Sequence, residues 1–170
     1  MEGFLCTNGK VPDAKKRRSS LQTAGLNRAM FSLFGANSQQ HEKVTAHKGS
    51  YAKTLDIAQY CSRIGLDTEV HFVPFSQNYQ ALPEIAAQAR NLGVKRISVL
   101  RLVPQGRGAK EKNGQLNHSQ NLELRRSIKE LRVNGHEIRL GSPYNFLMLR
   151  NKPQCRSGID RITVGPDLRI

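Results

Sequence analysis

Tryptophan is absent, and cysteine is scarce and scattered. Cys6, Cys61 and Cys155 form no CxxC pair, so no disulfide framework is encoded. No apolar run approaches the roughly 20 residues that span a bilayer. The N-terminus lacks the basic-then-apolar order of a secretory signal, so a cytoplasmic protein without membrane contact is the default expectation. Carboxylates are few as well. Thirteen Asp and Glu stand against 27 Lys and Arg, a formal charge of +14. Such a surface attracts polyanions, which makes nucleic acid a candidate partner. Several catalytic signatures are also missing. GRGAKEKNG is glycine-rich but does not fit a phosphate-binding GxxxxGK[ST] loop, and no GxSxG elbow occurs. His41 and His47, six apart beside Glu42, are poorly spaced for a metal. DAKKRRSS (13–20) suits phosphate contacts or a solvated helix start equally well.

What is present is a repeated grammar. In LQTAGLNRAMFSLFGA, CSRIGLDTEVHFVPF, ARNLGVKRISVLRLVP and LRVNGHEIRLGSP, a helix-like segment ends at a glycine and an apolar strand follows. Gly25, Gly65, Gly93 and Gly135 stand where a helix C-cap calls for positive φ. The preceding helices carry apolar residues at i, i+3 and i+4, such as Leu124, Ile128 and Leu131. With FLC (4–6) as a further strand, the pattern predicts five parallel strands, near 4–6, 29–33, 69–74, 96–103 and 137–140. Each but the last is expected to lead into a covering helix. Three of the strands read as near-continuous apolar runs, as in sheets enclosed by helices. Ligands of parallel α/β folds bind beyond the carboxyl ends of the strands. The loops there, GANSQQHEKVTAHKGS and PQGRGAKEKNGQLNHSQN among them, are rich in Asn, Gln, His, Lys and Arg. They suit an anionic or multiply polar ligand better than a carboxylate acid–base pair.

The order FLCTNGK, GLNRAMFSLFGA, HEKVTAHKGSYAKTL, GLDTEVHFVPF, LGVKRISVLRLVPQGRG resembles the later part of a radical S-adenosylmethionine (radical SAM) partial barrel. IRLGSPYNFL and CRSGIDRITVGPD then resemble the entry to a SPASM-type C-terminal region. The resemblance implies an α/β fold, a partial TIM-type barrel over 1–142 with parallel strands and covering helices. A short β extension, the start of a SPASM-like region, would occupy 143–170. In that family a [4Fe–4S] cluster and SAM generate a 5′-deoxyadenosyl radical that modifies a substrate. The family holds its cluster with CxxxCxxC and the SAM amino group with a Gly-Gly-Glu type motif, and neither occurs here. Both ends of the chain look cut. The resemblance therefore implies a piece of a radical SAM enzyme, inactive alone, with neither cofactor bound by this chain and an N-terminal half as a further partner. The substrate is not encoded in any motif.

Carried over residue by residue, the resemblance places Ser32 and His71 beside SAM, and the backbone around Leu102 and Val103 against its adenine. Gln105 and Arg107, in the loop after the RISVLRLV strand, are the candidate substrate contacts. Arg107 offers bidentate bonds to a carboxylate or phosphate. Cys155 matches the first ligand of an auxiliary iron–sulfur cluster. The competing expectation, from charge alone, is a basic α/β module that binds nucleic acid or a nucleotide without any cluster.

Overall fold

The computed structural model describes residues 3–7, 23, 25–102 and 114–141. Five strands form one sheet in the order β1 (Gly3–Thr7), β2 (Leu26–Ser32), β3 (Asp67–Phe72), β4 (Arg96–Val99) and β5 (Glu137–Leu140). Every adjacent pair is parallel. Helices α1 (Ser38–Thr45) and α2 (Ser50–Arg63) lie between β2 and β3 in the chain. A short 3-10 turn, Tyr79–Ala81, leads into α3 (Leu82–Asn91), and α4 (His118–Val133) precedes β5. Spatial order equals chain order. The sheet therefore winds in one direction, as an arc of a (β/α) barrel does, with no reversal of the doubly wound kind.

The helices form where their apolar residues recur at helical spacing. Thr54, Ile57, Ala58 and Cys61 of α2 are buried, as are Leu82, Ile85, Ala86 and Ala89 of α3 and Leu124, Ile128 and Leu131 of α4. They cover Phe31, Val70, Phe72, Ile97, Val99, Ile138 and Leu140, which complete the core. The four glycines before the strands take φ of +76° (Gly25), +82° (Gly65), +74° (Gly93) and +78° (Gly135), a region where other L-residues pay a steric cost. None of the described helices is long and apolar enough to cross a membrane.

Three expectations are corrected. The strands are not enclosed apolar runs. Side chains alternate across a pleated sheet. Only one face, with Ala29, Phe31, Val70, Phe72, Ile97 and Val99, is apolar and helix-covered. The other face carries Arg28, Met30 and Ser32, then Asp67, Glu69 and His71, then Arg96 and Ser98, then Glu137 and Arg139. RISVLRLV pairs as a strand only through Val99. Finally, GANSQQHEKVTAHKGS is not an open loop. Asn37 caps α1 by accepting from the Gln40 amide at 3.0 Å, and His41 is buried on that helix.

Candidate functional site on the polar face of the sheet

Parallel register sets the polar face in rows. Met30, Glu69, Arg96 and Glu137 are successive cross-strand partners, and so are Ser32, His71, Ser98 and Arg139. The second row lies toward the carboxyl ends of the strands, where ligands of parallel folds bind.

Glu69 is the centre of this face. Its side chain is 3% exposed. A buried carboxylate is costly unless bonded and charge-compensated, and here both conditions hold. Oε1 accepts from Ser98 Oγ and lies 3.1 Å from His71 Nε2. Oε2 lies within ion-pair range of Arg139 Nη1 at 3.5 Å and Arg96 Nη1 at 3.7 Å, although it accepts no hydrogen bond among the described residues. Burial by itself would raise the Glu69 carboxyl. The bonds from His71 and Ser98, with the charge of Arg139, outweigh it and hold the group below its ordinary value, ionised.

Below this row a second set of ion pairs ties four strands together. Asp67 Oδ2 accepts from Arg28 Nε and from Arg96 Nη1, both at 2.7 Å, and Arg96 Nε donates to Glu137 Oε1 at 3.0 Å. Desolvation pushes Asp67 up, but the two guanidinium bonds bring it below the usual carboxylate range. Asp67 in turn raises Arg96. These carboxylates and arginines support the row above them.

The lip beyond β2 is equally well held. The Leu33 amide donates to the His71 carbonyl at 3.0 Å, and the Phe34 amide to His41 Nδ1 at 3.2 Å. Asn78 Nδ2 donates to the Phe34 carbonyl at 2.8 Å and to Val73 at 3.2 Å, joining the ends of β2 and β3. The Ala36 amide donates to Gln40 Oε1 at 2.9 Å, and the Ala36 carbonyl accepts from Tyr51 and Gln88. Side chains from three helices thus fix the turn that follows Ser32. His41 belongs to this support, packed between Phe34 and Tyr51 with ring centroids 5.8 Å from each.

Of the residues singled out in the sequence, Ser32 and His71 are brought side by side, half-buried, at the ligand end. Leu102 is buried just past β4. Val103, Gln105, Arg107, Cys155 and the extension 143–170 lie outside the described residues. Sequence reasoning missed Glu69, Ser98, Arg96, Asp67 and Arg139. Their signal was the period-two alternation in DTEVHF, RIS and EIR, hidden by reading these segments as apolar.

The two cysteines among the described residues do not share a site for a cluster. Cys6 is an exposed residue of β1, whereas Cys61 is fully buried between α2 and the sheet. No group of three metal-ligating side chains occurs among the described residues. SAM is a different case, since the half-buried Ser32 and His71 offer adjacent polar groups near the carboxyl ends of their strands that suit the hydroxyls of a ribose.

No family model matches the chain. It is 27% identical over 132 residues to the PqqA peptide cyclase of Gluconobacter oxydans (strain 621H), covering 77% of this chain and 37% of that protein. It is 26% identical over 106 residues to the AdoMet-dependent heme synthase of Methanosarcina barkeri (strain Fusaro / DSM 804), covering 61% of this chain and 30% of that one. The chain thus spans about a third of the length of the relatives it matches. Among solved structures, Streptococcus suis SuiB bound to precursor peptide SuiA superposes with a TM-score of 0.68 over 84% of this chain and 32% of that one, at 14% identity. SuiB has also been solved bound to S-adenosylmethionine. The structural likeness establishes the fold. In the order of its sequence and in its fold the chain resembles radical SAM enzymes.

Proposed function

We propose that this chain forms the SAM- and substrate-facing arc of a radical SAM barrel, that the complete enzyme modifies a peptide, and that this chain alone does not cleave SAM. The observation that carries the reading is the row Ser32–His71–Ser98 at the carboxyl ends of the strands, with a buried, compensated Glu69 beneath it. Ser32 would hold the ribose or carboxylate of SAM, His71 a hydroxyl of its ribose, and the backbone at Leu102 and Val103 its adenine. Bound SAM, with a reduced cluster, supplies the radical chemistry of the family. This chain's part is to bind and orient. Gln105 and Arg107 would meet the substrate.

A peptide substrate is favoured because two relatives are described by peptides, the PqqA cyclase and SuiB with its precursor SuiA. Inactivity of the chain alone follows from ligand counting. A SAM-cleaving cluster needs three thiolates in one local motif, and the sequence has no CxxxCxxC. Over 143–170, Cys155 would be one thiolate of an auxiliary cluster, which needs further ligands. Equilibrium dialysis at high concentrations of labelled SAM, which the chain should hold only weakly without the cluster that anchors it, tests the binding role. Ser32→Ala and His71→Ala should each weaken SAM binding by about tenfold, the worth of one polar contact to a charged ligand. Unchanged binding in both variants would sink the assignment.

A further inference from the structure

We infer that Glu69 is a positioning residue that holds His71 in a single tautomer and presents its Nδ1 as a hydrogen-bond acceptor to the ligand side of the polar face. The role rests on the reading that this row faces a ligand, but the geometry behind it stands apart from that reading.

An ionised carboxylate has no proton to give. Glu69 is kept in that state by its surroundings: Arg96 and Arg139 lie on its Oε2 side, and the Ser98 hydroxyl donates to Oε1. At 3.1 Å from the same oxygen, His71 Nε2 must therefore carry the proton and donate it. A neutral imidazole has one donor and one acceptor, so Nδ1 keeps its lone pair. Nδ1 has no hydrogen-bond partner among the described residues, and the His71 side chain remains 19% exposed. The carboxylate also restricts the ring. Glu69 and His71 are two apart on β3, hence on one face of the strand, and Ser98 on β4 pins Glu69 from the next strand.

The ligand group that fits is a donor, a hydroxyl or an amine nitrogen. A ligand oxygen without hydrogen would meet lone pair against lone pair. If the donor gives up its proton to Nδ1, the resulting imidazolium stands beside a carboxylate already in place, with no reorganisation needed. Ser32, the register partner of His71 on β2, supplies a hydroxyl that can donate or accept. The pair would thus recognise a group with both a donor and an acceptor.

The test is NMR of the full chain labelled with 15N-histidine, recorded without ligand at neutral pH. His71 is assigned by loss of its signals in His71→Gln. Two-bond proton–nitrogen correlations report which ring nitrogen is protonated. The expected result is one tautomer, protonated at Nε2, with that proton protected from solvent exchange. Glu69→Met removes the acceptor at similar volume and should lose the protected proton and give mixed tautomers. Glu69→Gln retains a carbonyl acceptor and should restore the Nε2–H form. A backbone amide spectrum reports whether each variant is folded. A wild-type His71 protonated at Nδ1 would overturn the inference. So would a folded Glu69→Met variant with an unchanged histidine spectrum. If Glu69→Met does not fold, the wild-type and Glu69→Gln spectra decide, and an Nδ1–H form in either overturns it. No SAM or peptide enters the measurement, so its failure is separable from failure of the SAM-binding assignment.

Discussion

A Cβ placed on Gly35 would lie 2.3 Å from Gln40 Cβ and 2.8 Å from the His41 backbone nitrogen. Neither atom is the free end of a side chain, so α1 would have to move away from the turn after β2. At Gly25 an added Cβ meets nothing within 4 Å, but φ is +76°. The first substitution is a clash and the second only a backbone strain. Gly35→Ala should cost about 2–3 kcal/mol and Gly25→Ala about 1 kcal/mol, read from urea midpoints at constant m-value. His41 shows a second residue-scale constraint. It is 1% exposed, and burial lowers its pKa below 6.5, against an opposing pull from Glu42. The unfolded chain takes up a proton near the ordinary histidine value of about 6.5, while the folded chain resists it. Stability is therefore present above that pH and is lost as pH falls through it. His136, lowered by burial and by Arg90, acts in the same direction. Unfolding free energy should fall between about pH 7.5 and about pH 5.5, and His41→Gln should flatten that slope. An equally steep slope in the variant would remove His41 as the cause.

Between elements, Arg96 is the joint of the polar face, reaching Asp67 at 2.7 Å and Glu137 at 3.0 Å with Glu69 close by. Arg96→Ala would take from Asp67 one of its two guanidinium partners and from Glu69 one of its two nearby arginines. The expected loss is about 2–4 kcal/mol, below the full value for a deeply buried pair because Asp67 keeps some solvent. Thermal unfolding of the variant measures it, and a loss within 0.5 kcal/mol, roughly that of an ordinary surface site, would contradict the role. Helix α4 makes a separate case, because its start is closed by a capping box between Asn117 and Gln120, with bonds of 2.9 and 3.0 Å. Asn117→Ala should cost about 1 kcal/mol. The elements themselves were legible because their signals are local. Helical spacing in α2, α3 and α4, closed by Gly65, Gly93 and Gly135, gave type and approximate bounds. The ends of the strands were less legible, since Leu100 and Leu102 look as apolar as Val99 while pairing stops there. The site was legible only in part. Ser32 and His71 could be named by resemblance, but their meeting depends on cross-strand register, and the bond from Ser98 to Glu69 joins residues 29 apart in the chain. Nothing in local spacing reports such a contact.

For the whole molecule, the alternation of faces changes what the open side of the sheet costs. Continuous apolar strands without cover on the open side would leave apolar surface near Met30 to Leu33 in water, a liability of roughly several kcal/mol. Instead Phe31 and Leu33 are buried to 1% exposure or less, and the face away from the helices is built from ion pairs and hydrogen bonds. That face is stable against water without being apolar, which suits a surface meant to meet polar ligands. The same division bears on chemistry. The two described cysteines fall on different layers, Cys6 exposed on β1 and Cys61 fully buried under α2. Bringing both to one iron would require α2 to leave the sheet, and Cys155 lies far along the chain from either. A single thiolate per locality does not retain a [4Fe–4S] cluster. Anaerobic reconstitution of this chain with iron and sulfide should therefore give no brown colour and no absorbance near about 400 nm. With SAM and dithionite added, no 5′-deoxyadenosine should form. A chain that takes up about four irons and cleaves SAM would overturn the proposal that it is inactive alone. Replacement of Cys6, Cys61 and Cys155 by Ala, one at a time, would then locate the ligands.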